Sequence, residues 1–133
     1  MAVDWGARRI GLAISDPTRT IASPLDVILH TSRAEDAATI LRFASEKDVG
    51  LILVGVTYDE ENLLTPSGRS AQRLAQAIQE DSEIPVNLFN EEGSTRAAKC
   101  SRLQIGLPKN KRAGHFDSIA AQIFLQAYLD ENH

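Results

Sequence analysis

Met1-Ala2-Val3-Asp4-Trp5-Gly6-Ala7-Arg8-Arg9-Ile10-Gly11-Leu12-Ala13-Ile14-Ser15 opens the chain. It is an apolar run closed by an acid, then a glycine-punctuated turn, then a second apolar run. Met1–Asp4 is predicted as a short strand, Trp5–Arg9 as a turn in which Gly6 is available for φ > 0, and Ile10–Ser15 as a returning strand. An ionised carboxylate among hydrophobic strands is costly unless a cation, a nest of backbone N–H groups or a basic partner compensates it. Two readings of Asp4 follow. It either holds a metal ion at a strand end, or caps the N–H groups of its own turn.

Outward from this hairpin, Asp16-Pro17-Thr18 marks a turn and Ile21–Ile28 a third strand, which Pro24 confines to a sheet edge or a bulge. Short connections make the three strands an antiparallel meander. Ser32 is the predicted N-cap of a helix to about Lys47, with Glu35 completing a capping box and Ala37, Ile40, Leu41 and Ala44 at helical spacing. Leu51-Ile52-Leu53-Val54 is apolar throughout, as a buried parallel strand requires. The loop at 57–66 carries Asp59-Glu60-Glu61, three acids expected in solvent. A helix from Ser67 to about Asp81, a strand at Pro85–Asn90 and a helix from Ser94 to about Ile105 come next. A basic loop from Gly106 to His115 is expected before a last helix from Phe116 to about Asn132. On that helix Ile119, Ala120, Ile123, Phe124, Ala127 and Tyr128 are predicted to face inward. The order describes one α/β domain over residues 1–133: a five-stranded mixed sheet, with right-handed crossovers placing helices on both faces.

At 133 residues the chain can bury a sizeable core without cross-links. Its single cysteine, Cys100, excludes an internal disulfide and a zinc cluster. No signal peptide or transmembrane run is visible, so a cytoplasmic protein with no membrane partner is expected. Net charge is −4, which argues against a protein that simply coats nucleic acid. Arg96, Lys99, Arg102, Lys109, Lys111 and Arg112 nevertheless fall in an acid-free tract from Gly93 to Phe116. A basic tract on an acidic chain predicts a localised anion-binding surface, with a solvated basic face as the alternative. Lys109, Lys111 and Arg112 are expected on a nucleic-acid backbone, with Arg8 and Arg9 at the opposite lip.

Three acids occupy comparable positions: Asp4 ends the first strand, Glu91 follows the last, and Asp117 begins the final helix. Functional groups of open α/β sheets gather at the carboxyl ends of strands. If the first and last strands run in the same direction, these acids share one crevice. Converging carboxylates with no cation beside them call for hard divalent ions, Mg²⁺ or Mn²⁺. Two such ions about 4 Å apart suit phosphodiester hydrolysis. Each acid also has a plain alternative: Asp117 as a dipole-favoured residue in a first helical turn, Glu91 as one of an exposed pair with Glu92.

The run from Asp4 to Asp16 resembles the opening motif of the YqgF/RuvX family of Holliday-junction-resolvase-like or pre-16S rRNA nucleases. Pro24-Leu25, Val54-Gly55, Asn90-Glu91 with Ser94-Thr95 and Ala97, and Asp117-Ser118-Ile119-Ala120-Ala121 through Tyr128-Leu129 fall where that family's later motifs fall. The resemblance spans essentially the whole chain. It implies an RNase H-like fold and Asp4, Glu91 and Asp117 as metal-binding acids. Three departures stand out. Asn90-Glu91-Glu92 replaces the family's Asp-Glu-Arg, a proline is missing around Val56-Thr57, and Gly114 stands where related resolvases often carry a fourth acid.

The leading expectation is a metal-dependent endonuclease on structured RNA or branched DNA, with the 5′ end of pre-16S rRNA as the favoured substrate. The alternatives are a non-catalytic nucleic-acid-binding protein of the same fold, or a dimeric junction resolvase. A resolvase needs a symmetric dimer, and no helix has an over-apolar outer face, so a monomer or weak homodimer is expected. Asp-x-Gly before a hairpin also resembles the phosphate loop of actin-like sugar kinases, but those need two such domains, which this length excludes.

Overall fold

A computed structural model describes the backbone of residues 1–90 and 109–132, and the side chains of 1–90 and 118–132. The strands are β1 (Ala2–Asp4), β2 (Arg9–Ser15), β3 (Ala22–Leu29), β4 (Ile52–Val56) and β5 (Val86–Asn90). The helices are α1 (Arg33–Glu46), α2 (Pro66–Glu80) and α3 (Lys109–Glu131). The sheet order is β3-β2-β1-β4-β5. β1–β2 and β2–β3 pair antiparallel, whereas β1–β4 and β4–β5 pair parallel. The expected meander plus two further strands is the observed sheet, and both further strands run parallel to β1.

Strand alternation divides the core between the two faces. Val3, Ile10, Leu12, Ile52, Val54 and Val56 bury one face under Ala37 and Ile40 of α1 and Ala71, Leu74 and Ile78 of α2. Ala2, Ala13, Ala22 and Leu53 bury the other under Ala121, Phe124, Leu125 and Leu129 of α3. β3 is an edge strand, and its register with β2 shifts between Leu12 and Ala13, so that Asp26 and Pro24 are paired and Leu25 is skipped. Pro24 therefore lies both at an edge and beside a bulge.

Local chemistry sets the helix starts. The Ser32 hydroxyl accepts the Glu35 N–H at 3.2 Å to begin α1. α2 begins at Pro66, earlier than the predicted Ser67, because Thr65 is the cap and accepts the Gly68 N–H at 3.0 Å. Proline at the first helical position costs no hydrogen bond.

Two expectations for the C-terminal region are corrected. α3 begins at Lys109, not Phe116, so Lys109, Lys111 and Arg112 lie on the first turns of a helix rather than in a loop. Lys, Arg and Ala are strong helix formers and need no apolar stripe to continue a helix. Of the residues expected inward, Phe124 is buried and Tyr128 packs against the same core, but Ile119, Ala120, Ile123 and Ala127 are only half-buried, and the stripe is completed by Ala121, Leu125 and Leu129. The predicted helix at 94–105 lies outside the described residues.

Candidate active site

Asp4 is the last residue of β1, the middle strand of the five. Ala2 packs on the α3 face, so Asp4, two residues on, projects to that same face, where it is half-buried. Gly11 of β2 is directly opposite. On the other side, Val3 pairs with Val54, which brings Gly55 level with Asp4, and Gly55 pairs with Phe89. The row Asp4–Gly55–Phe89 thus crosses three parallel strands with no side chain at its centre. Its far end is aromatic: Phe89 stacks on Phe124 at 5.8 Å and meets Tyr128 edge-on at 6.1 Å.

β1 and β5 run in the same direction, as the shared-crevice argument requires, and are two strand spacings apart, roughly 10 Å. Glu91 follows Asn90 at the end of β5 and lies outside the described residues. Asp117 is on α3, which lies against β1, β2 and β3. By backbone position it is one turn ahead of Ala121 and two ahead of Phe124, on the stripe that meets the sheet. Because α3 starts at Lys109, Asp117 is two turns inside the helix and not in its first turn. That removes the dipole reading of this residue, whose benefit is confined to the terminal turn. Among the described residues no three His, Cys, Asp or Glu side chains form a metal-sized group; of the three acids, only the side chain of Asp4 is among them.

Arg8 is exposed in the turn, and its carbonyl accepts the His30 N–H at 2.9 Å. Arg9 begins β2, half-buried, on the same face as Gly11 and therefore as Asp4. The side chains of Lys109, Lys111 and Arg112 lie outside the described set. Gly6 is required for a reason other than the predicted one. A Cβ there would sit 2.5 Å from the Arg9 carbonyl oxygen, so the position is fixed by close approach and not by a left-handed φ.

Sequence reasoning missed a polar cluster beneath this turn. Asp36, only 2 % exposed, is hydrogen-bonded to Nδ1 of His30 and accepts the Thr31 N–H at 3.1 Å. His30 also meets Trp5 edge-on at 5.7 Å. The cluster ties the first turn of α1 and the end of β3 to the turn that follows Asp4. The available signal was an aspartate on the inward stripe of α1, one turn before Ile40.

At the same sheet end, β4 leads into a loop in which Asp59 accepts the N–H groups of Glu61 and Leu63 at 2.9 and 3.0 Å. Asp59, Glu60 and Glu61 are all exposed, as expected. A cleft of about 880 Å³ opens at the opposite end, lined by Ser15, Asp16, Lys47, Leu125 and Tyr128 among others. No described helix is long and apolar enough to cross a membrane.

This sheet order, with an acid closing the central strand and helices on both faces, is the RNase H-like architecture. Similarity to known proteins narrows that class. The family described as "RuvX: Holliday junction resolvase" matches residues 1–131, and the chain belongs to it. By that description the class is a phosphodiester hydrolase. Relatives named "Putative pre-16S rRNA nuclease" include one from Clostridium beijerinckii, 32% identical over 130 residues, covering 98% of this chain and 94% of the relative. One from Anaeromyxobacter sp. is 33% identical over 133 residues, covering 100% and 97%. One from Chloroflexus aurantiacus is 35% identical over 130 residues, covering 98% and 85%. Among solved structures, T. thermophilus RuvC in complex with a Holliday junction substrate is similar in fold. Its TM-score is 0.57 at 13% identity, over 98% of this chain and 92% of that one.

Proposed function

We propose that this chain is a divalent-metal-dependent endonuclease of structured nucleic acid, and that its substrate is the 5′ end of the 16S rRNA precursor. The observation that carries the reading is Asp4. It is a half-buried carboxylate at the end of the middle strand, facing α3 across a row that Gly55 leaves clear. A hard-cation site needs only one or two protein carboxylates when substrate phosphate completes the coordination. Asp4, Glu91 and Asp117 are the carboxylates that would hold the ions in this reading. Bound Mg²⁺ or Mn²⁺ supplies an activated water and offsets charge on the leaving oxygen. Arg8, Arg9, Lys109, Lys111 and Arg112 hold the phosphate backbone across the crevice. The RNA substrate is favoured by the names of the relatives; the protein acts in the cytoplasm as a monomer or weak homodimer.

The test is cleavage of a precursor-rRNA leader and of a four-way DNA junction by wild type and Asp4→Asn, with Mg²⁺, Mn²⁺ or excess chelator. Wild type should cut the RNA only with metal, and Asp4→Asn should lose roughly a hundred- to a thousand-fold, the loss typical of removing one key electrostatic group. Cleavage that persists in chelator would overturn the metal assignment. Metal-independent binding without cleavage by wild type would instead mark a non-catalytic binding protein.

A further inference from the structure

We propose that Gln122 and Gln126 are positioning residues, a side-chain clasp that sets the register of α3 on the sheet and thereby the place of Asp117 relative to Asp4. The inference rests on the proposed metal site. Its observation is independent of that site. The Gln126 carboxamide oxygen accepts the Ala22 N–H at 2.9 Å, and its nitrogen donates to the Thr20 carbonyl at 2.9 Å. One turn earlier, Gln122 donates to the Ala22 carbonyl at 3.0 Å. Asp130 accepts a further bond from the Gln126 nitrogen at 3.1 Å, fixing that amide from the helix side. The two glutamines, four apart, share one face of α3 and grip the backbone at the start of β3.

Where α3 crosses β1, β2 and β3, the apolar contact is a weak guide to its register. Along β1, β2 and β3 its sheet side is Ala2, Ala13 and Ala22, all small side chains, while Leu53 of β4 and Phe89 of β5 supply the larger ones. Hydrophobic burial is non-directional, so over the alanines alone sliding or rolling α3 changes little buried area, and the apolar resistance comes from Leu53 and the Phe89–Phe124 stack. A one-residue slip nevertheless displaces every group on the helix by about 1.5 Å and turns it by about 100°. Metal–ligand distances tolerate only about 0.2 Å. The clasp supplies the missing direction, because a carboxamide whose oxygen faces an N–H and whose nitrogen faces a C=O fits in one place.

Position along the helix supports the assignment. Ala22 pairs with Ser15 at the sheet end opposite Asp4. Asp117 lies nine residues before Gln126, roughly 13.5 Å along the axis. α3 is therefore pinned in its C-terminal half, with the proposed ligand in its N-terminal half. Because the grip is on main chain, it is indifferent to which side chains β3 carries.

The test compares wild type, Gln122→Met/Gln126→Met and, as a control, Thr65→Ala, which removes the α2 cap away from this contact. Two quantities are read: the Mg²⁺ concentration at half of the metal-induced rise in melting temperature, and that at half-maximal cleavage. The glutamine variant should need roughly ten- to a hundred-fold more Mg²⁺ in both, the usual cost of losing an orienting group behind a ligand. Thr65→Ala should melt lower with both Mg²⁺ midpoints unchanged. An unshifted midpoint in the glutamine variant overturns the clasp. Wild type that responds to Mg²⁺ in neither melt nor cleavage removes the metal-site reading instead. If the double variant fails to fold, Gln122→Met, which loses only the Ala22 carbonyl bond, carries the same comparison, and its unshifted midpoint overturns the clasp.

Discussion

Replacing Gly6 by alanine should destabilise the fold from two residues beyond Asp4. The added Cβ would lie 2.5 Å from the Arg9 carbonyl oxygen and 3.6 Å from its carbonyl carbon. Both partners are backbone, so no side chain can swing away. Reaching even the tight end of tolerable contact requires the turn to open by about half an ångström. Overpacking of this kind costs about 1–3 kcal/mol, which for a chain of this length lowers Tm by about 4–12 °C. Gly50→Ala is the matched control: its Cβ would meet nothing within 4 Å, and its backbone is not left-handed. That substitution should be neutral or stabilise by up to about 1 kcal/mol through the unfolded chain. Urea unfolding with comparison of m-values separates native-state strain from a changed denatured state. A Gly6→Ala protein as stable as wild type, or a Gly50→Ala protein equally weakened, would refute the steric argument.

Three further outcomes are expected. Phe124, fully buried and stacked on Phe89, should cost about 3–5 kcal/mol when replaced by alanine; a urea midpoint within error of wild type would mean that α3 is not held by this core. The Asp16 carboxyl is lowered from 3.8 to about 2 by the Ile21 N–H, then by the Thr18 hydroxyl and the Thr20 N–H. A depressed folded pKa stabilises above the unfolded value and is lost as pH falls through the folded one. The stability gap between wild type and Asp16→Asn should therefore narrow between about pH 4 and pH 2, and a gap constant over that window contradicts the assignment. Replacing Lys109, Lys111 and Arg112 together by glutamine should weaken RNA binding and flatten the log–log salt dependence by about one per lost phosphate contact; unchanged affinity and slope would leave these residues as a solvated helix face.

Much of the fold was legible because short-range chemistry agrees with it. Leu51–Val54 is apolar because β4 is covered on both faces, and Ser32 is where a helix cap must be. Phe124 was legible on the inward stripe of α3, but the isoleucines expected beside it were misplaced for a physical reason. Ile119 and Ile123 are the larger hydrophobes, but close approach to a sheet surfaced by Ala2, Ala13 and Ala22 favours Ala121 at the contact and leaves the isoleucines at its flanks. The start of α3 was hidden because its first turns carry no apolar period. Of the candidate site, the place of Asp4 at the end of β1 was readable from the hairpin, whereas the shared direction of β1 and β5 was a condition that only the sheet order met. The His30–Asp36 pair and the glutamine clasp were not, because they join residues whose proximity only the tertiary fold creates.

The irregularity in β3 bears on how copies of this protein behave in concentrated solution. An open sheet margin is a template on which another chain can add a strand. Here that margin carries Leu29, 72 % exposed, and Ile21, 59 % exposed, at its two ends. Between them Pro24 has no N–H to offer an incoming strand, the skipped Leu25 breaks the repeat, and Asp26 sets an exposed charge in its path. The ladder is thus interrupted where a second copy would have to zip, and its two apolar ends are kept from acting together as an aggregation seed.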